Sequence, residues 1–169
     1  MSKGRFYASQ FFSLDIHPTA RGVRMTMQMH VPYVNTRALA HTFPFLQKHF
    51  PSVLATRCFN DQNLPFALEV RATELAHLFE HIMLDHLCLV KIAEGSNNAQ
   101  FSGRTSWNWK KEPYGLFHIA IEANKKDHLF FPHALGRTIV LMEQLLTTKT
   151  TDNVQEKLPV VDIRTARPL

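Results

Sequence analysis

Cysteine is scarce in this chain. Cys58 and Cys88 are the only two, which gives neither a disulfide framework nor a paired-cysteine zinc site and fits a reduced, cytoplasmic setting. Glycine is nearly as sparse, at 6 residues, and none is spaced as a dinucleotide or nucleotide cradle. There is no Gly-x-Ser-x-Gly elbow, so serine nucleophile chemistry has no support. No apolar run approaches the ~18 residues of a membrane span. Residues 1–10 carry Lys3 and Arg5 but no apolar stretch of signal-peptide length. A soluble protein with no membrane partner is expected. No internal repeat is visible.

What the chain does have is a basic balance and a large apolar fraction. A formal net charge of +5 and a pI near 9.4 favour acidic or polyanionic partners. The basic residues are scattered, so a nucleic-acid stripe is not evident. With 45% hydrophobic residues among 169, the chain is long enough for one domain with a real core and too short for two of ordinary size.

Residues 24–31 alternate Met25, Met27, Met29 and Val31 with polar positions, the period of a half-buried strand that Pro32 ends. Asn35 or Thr36 can cap a helix toward His49, interrupted or kinked near Pro44. Residues 53–59 read as a second strand, residues 60–63 as a turn, and residues 66–70 as a short strand. A central helix is expected from a Thr73 cap to about Ile92, with Gly95 beyond its end. Residues 103–109 and 115–122 read as a β-hairpin, in which Phe117, Ile119 and Ile121 share one face and His118 and Glu122 the other. Asp127 can cap a last helix through Leu146, with Pro132 in its first turn or at a kink. Residues 147–169 read as a polar tail, with a short ordered stretch at 160–163. The expected fold is therefore α+β: residues 1–146 form a single domain, a small mostly antiparallel sheet packed against two or three helices.

The central helix carries the most informative residues, His77-Leu78-Phe79-Glu80-His81. Histidines four apart stand one above the other on a helix, so both rings can reach one metal ion. Glu80 is one position round, placed to accept a proton from a metal-bound water, as in the His-x-x-Glu-His form of zinc peptidase helix. With 10 His in the chain, the same pattern also arises by chance on a solvated face. Leu75, Leu78, Phe79, Ile82, Met83 and Leu89 gather on one side of this helix, and Glu74, His77, His81 and Asp85 on the other. The histidines are thus expected to avoid the core stripe, with Leu84 and Cys88 pointing to a cleft. Asp85 either orients His81 or simply supports the helix. His118 or Glu122 can complete a metal site from the hairpin. For Cys58 and Cys88 a buried thiol is the stronger reading than a nucleophile. Trp107 and Trp109 either pack in the core or line a substrate groove.

Residues 50–54 (Phe-Pro-Ser-Val-Leu), Cys58, the run Ala72 through Asp85, Gly103-Arg104-Thr105 and Phe117-His118-Ile119-Ala120-Ile121-Glu122 together resemble the amino-terminal domain of cyanophycin synthetases. The likeness spans about residues 42–146. In that family the domain precedes an ATP-dependent ligase region and a Mur-ligase-like region, neither of which is in this chain. The chain looks like a free-standing relative of the first domain, so polymer synthesis and ATP use are not carried over. The resemblance implies hydrolysis of cyanophycin, a poly-aspartate backbone bearing arginine, or of a similar charged polypeptide, at a zinc site. The matching positions are His77 and His81 as ligands, Glu80 as general base and Glu122 as third ligand, with His118 its rival.

Arg104 is the candidate for stabilising the oxyanion or gripping a substrate carboxylate, and its other reading is a structural hairpin arginine. Two readings of another class stand beside the hydrolase. One is a metal-free module that binds a charged polymer or a partner enzyme, and the other a subunit whose last helix pairs with itself or with a ligase.

Overall fold

The computed structural model describes residues 4–58 and 63–155, with side chains as far as residue 148. Five strands form one antiparallel sheet in the order β1-β2-β3-β5-β4: β1 Arg5–Ala8, β2 Phe12–Thr19, β3 Gly22–Met29, β4 Ser102–Ser106 and β5 Leu116–Glu122. Four α-helices accompany it: α1 Thr42–His49, α2 Phe66–Glu69, α3 Leu75–Ala93 and α4 Phe131–Gln155. This is the expected α+β architecture.

Period-two patterning builds the sheet. Phe12, Leu14 and Ile16 of β2, Met25 and Met27 of β3, and Phe117, Ile119 and Ile121 of β5 all turn to one face and are buried. On them lie α3 and α4, through Leu75, Phe79, Ile82, Met83 and Leu87 of α3 and Leu141, Met142, Leu145 and Leu146 of α4. Phe12 meets Phe79 edge to face at 6.1 Å. Each such fully buried side chain contributes roughly 1.5–3 kcal/mol by removal from water. The opposite face carries Asp15, His17, Arg24, Arg104, His118 and Glu122, all exposed. Gly22 turns the β2–β3 hairpin at φ 140°, where a side chain would meet Ile121 O.

Several local expectations are corrected. The strand read at 24–31 is β3, two residues earlier, and the alternation of Phe12, Leu14 and Ile16 gives it the partner β2, which was not read. Asn35 does cap a helix, with Oδ1 accepting from Arg37 N at 3.0 Å, but only the 3-10 helix Thr36–Ala38. The chain breaks at Leu39, and α1 begins afresh with Pro44 inside its first turn, where the missing N–H is no loss.

Of the strand read at 53–59, the described residues 53–58 do not form one. Pro51 starts the 3-10 helix Pro51–Ala55, which the Thr56 hydroxyl closes on Val53 O at 2.7 Å. Residues 66–70 are not a strand either, because Pro65 sets an entry into α2, whose Phe-Ala-Leu-Glu includes strong helix formers. Asp127 does not cap α4; it is buried in the 3-10 helix Lys125–Phe130 and paired with Lys91 at 3.0 Å. Helix α4 runs on to Gln155, nine residues into the expected tail. The turn at 60–62 and the stretch at 160–163 lie outside the described residues. Among the described residues no helix is long and apolar enough to cross a membrane.

Candidate metal centre

Helix α3 is clamped at its start by the chain before α1. Thr36 N donates to Thr73 O at 2.8 Å, Thr73 N donates to Thr36 Oγ1 at 2.9 Å, and Leu75 N donates to Val34 O at 2.8 Å. These bonds satisfy backbone groups that a cap would otherwise serve. The Thr73 hydroxyl is therefore not the expected cap; it lies 2.7 Å from His77 Nδ1.

His77 and His81 stand one turn apart, edge to face, with ring centroids 4.8 Å from each other. The third member comes from residues 56–58, held beside α2 by Phe66 N donating to Thr56 O at 2.9 Å and Cys58 N to Leu64 O at 3.2 Å. This brings Cys58 Sγ to 3.4 Å from His77 Nε2. One donor atom each from Cys58, His77 and His81 falls within 4.8 Å of the others, a group that can hold a metal ion.

The donor chemistry fits zinc. Bonds of about 2.3 Å to sulfur and 2.0–2.1 Å to nitrogen in a tetrahedron imply a sulfur-to-nitrogen edge of about 3.5 Å, close to the 3.4 Å between Cys58 and His77. The rings are also oriented from behind. Thr56 spends its hydroxyl proton on Val53 O, so at 3.3 Å from His81 Nδ1 its oxygen can only accept, which leaves the proton on Nδ1 and the lone pair on Nε2. Behind the other ring, Thr73 Oγ1 lies 2.7 Å from His77 Nδ1. A hydroxyl on the rear nitrogen of each ring is the outer support that metal-binding imidazoles ordinarily have. Phe66 stacks on His81 at 3.8 Å and 12° between planes, closing that side to water. Burial holds both rings neutral: His81 is pulled down to about 3, with His77 adding to the effect, and His77 is lowered against the pull of Glu69 and Glu74.

His81 does not avoid the core as the helix pattern implied; it is only 6% exposed, and Glu80 beside it 5%. The Glu80 carboxylate points to β4, where Thr105 Oγ1 donates to Oε2 at 2.5 Å. Gly103 leaves the room it occupies, since a Cβ there would stand 2.6 Å from Oε1. Burial pushes the Glu80 carboxyl up to about 7, with the Thr105 bond opposing.

Other expected members are not brought here. Glu122 is exposed and pairs across the ladder with Ser102, on the sheet face turned away from α3, so it is not the third ligand. Alternation decides this: Ile121 points in, so Glu122 points out. His118 shares that outer face and meets Glu112 Oε1 at 2.7 Å. Arg104 lies between Gly103 and Thr105, also turned outward and exposed, so it does not sit over the histidines as an oxyanion donor. Asp85 accepts from Ser52 Oγ at 2.5 Å and secures the 3-10 helix, while Thr56 serves His81. Trp107 and Trp109 follow the end of β4 and pack on Phe117 at 5.7 and 5.3 Å, with Trp109 Nε1 donating to Leu116 O at 3.0 Å. Trp107 stays 40% exposed.

The residues that sequence reading missed are Cys58 beside the histidines, Thr56 and Thr73 behind the rings, and Thr105 on Glu80. Only the prominence of Gly103-Arg104-Thr105 hinted at the last. Compared with models of known protein families and with curated proteins, the chain matches none.

Proposed function

We propose that this chain is a zinc-dependent amide hydrolase acting on cyanophycin or a related charged polypeptide, with Cys58, His77 and His81 as ligands and Glu80 as general base. The observation that carries the reading is the three-donor set with both imidazoles braced from behind. Three protein ligands are the number that catalytic zinc sites keep, since a fourth position must stay open for water or substrate. Zinc held there would polarise the scissile carbonyl and make water nucleophilic near neutral pH.

The chain's own residues supply the rest. Thr56 and Thr73 fix the rings, Phe66 excludes water from the His81 side, and Glu80 moves a proton between water and the leaving amine through a carboxylate that Thr105 orients. The basic surface, with a net charge of +5, suits a polymer bearing carboxylates. We place this activity in the cytoplasm, where the thiols of Cys58 and Cys88 stay reduced.

A second reading rests on one observation: Glu80 is held by Thr105 and seated against Gly103 in the sheet. A carboxylate committed there suits a module that binds the polymer, or a partner ligase, without cleaving it. Elemental analysis of the purified chain, with hydrolysis of cyanophycin and of ordinary peptides measured before and after a chelator, separates the two. Stoichiometric zinc with chelator-sensitive release of product is expected of the hydrolase. Zinc-free protein that binds the polymer intact selects the module.

A further inference from the structure

Helix α2 covers one side of the metal centre. Phe66 stacks on His81 at 3.8 Å and stands edge-on to His77 at 6.1 Å. Glu69 is three residues further along α2 and so shares the face of Phe66. Its Oε2 atom is buried. The backbone around it is fixed, since Val70 N donates to Phe66 O at 2.8 Å and Ala72 N to Glu69 O at 2.9 Å. Glu74, half-buried, caps the start of α3 three residues ahead of His77, with Leu78 N donating to its carbonyl at 2.9 Å. Burial lowers His77, and against it pull the Glu69 and Glu74 carboxylates, Glu69 the more strongly, so both stand within electrostatic reach of that ring.

This is also the side from which the centre is reached. His81 is closed under Phe66, whereas His77 is only half-buried. Residues 56–77 contain two arginines and no lysine. Arg71 lies over the Phe43 ring at 4.0 Å. Arg57 bridges to Pro65 between Thr56 and Cys58, which face the histidines, so alternation turns its side chain the other way, where it is exposed. In a chain of net charge +5, the approach to His77 is thus lined by carboxylates while its neighbouring cations face elsewhere. Partly desolvated carboxylates select a cation rich in N–H donors.

We propose that Glu69, assisted by Glu74, is the specificity-determining residue of this centre and grips a cationic nitrogen group of the substrate, a guanidinium or an ammonium. The three-donor set fixes where the reacting bond lies, and the carboxylates fix which residue lies next to it. The inference deepens the hydrolase reading and rests on it for what happens to the substrate, but the grip itself needs no metal.

The test is amide chemical-shift titration of the full chain under chelator with two pairs of peptides. Acetyl-Ala-Arg-Ala-amide against its citrulline counterpart isolates a guanidinium, and Ala-Ala-Ala-amide against its acetylated form isolates an α-ammonium. One cationic peptide is expected to bind about tenfold tighter than its neutral partner, with shifts at residues 69–77. The pair that shows the preference identifies the source of the cation. Glu69→Gln with Glu74→Gln should bring the cationic peptide down to the level of its neutral partner, and Glu69→Asp should keep part of the difference. Equal binding within both pairs overturns the proposal. So does a preference that survives the double substitution, or no shift at millimolar peptide. A preference in a chain that hydrolyses no peptide upholds the grip and ends the hydrolase reading. Hydrolysis without the preference does the reverse.

Discussion

The Thr73 hydroxyl lies 2.7 Å from His77 Nδ1, one helical turn ahead of it, and holds that ring with Nε2 toward Cys58. The backbone of Thr73 is tied separately to Thr36, so the side chain is free for this task. Thr73→Val keeps the shape and removes the oxygen. Zinc affinity is expected to fall about 10- to 100-fold, the usual effect of losing such a support. Competition against a fluorescent chelator measures it, and unchanged affinity would remove Thr73 from the site.

Cys58 and Glu122 offer opposing forecasts for the third ligand. Added zinc at 100 times its dissociation constant should stabilise the wild-type chain by about 2.7 kcal/mol. Cys58→Ala is expected to lose most of that gain, and Glu122→Ala none, because Glu122 faces away from α3. Thermal melts with and without zinc decide between them.

Gly103 and Glu80 share one space. Gly103→Ala puts a methyl 2.6 Å from Oε1 and 2.9 Å from Cδ of Glu80, inside contact distance. Overpacking of this kind costs about 1–3 kcal/mol. Adding Glu80→Ala opens the space, so the double variant should be more stable than the sum of the singles implies, a coupling that a double-mutant cycle reads directly.

The pH dependence of stability, measured by denaturant titration under chelator, has two opposed limbs. Glu80 titrates at about 7 when folded and near 4.5 as a free side chain. Below pH 4.5 both states hold the proton. As pH rises from there to 7 the unfolded chain ionises first, so stability falls by about 3 kcal/mol in all. Glu80→Gln lacks this slope, and its advantage over wild type should grow across that window and then level off.

Histidine gives the other limb. His86 is buried against Thr138 and Phe50 and pulled down to about 4 by burial, with Arg137 and His133 adding to it, and His81 falls to about 3. Their lowered values make the unfolded chain take up protons first as pH drops below 6.5. Stability is therefore full above that point and lost toward pH 4. Glu80→Gln should expose this acid limb cleanly, and a variant stable to pH 4 would contradict the buried, neutral state of these rings.

Local patterning determined much of this protein. The alternation of Met25 and Met27 and of Phe117, Ile119 and Ile121 specifies strands with one buried face, because successive side chains point to opposite sides. The apolar spacing from Leu75 onward and the pair His77 and His81 specify a helix with two rings in one place, since 3.6 residues make a turn. Short apolar runs such as residues 53–59 and 66–70 did not declare themselves, as strand and helix bury them equally well and the prolines ahead of them decided.

Only tertiary structure brings Cys58 to the two histidines. Cys58 is 19 residues from His77 and outside any helical or strand repeat, and its approach depends on residues 56–58 being held beside α2. Glu122 was excluded by which face of the sheet α3 covers, and Glu80 was buried by a glycine on a neighbouring strand. Contacts between elements distant in the chain carry no period that a linear reading can detect.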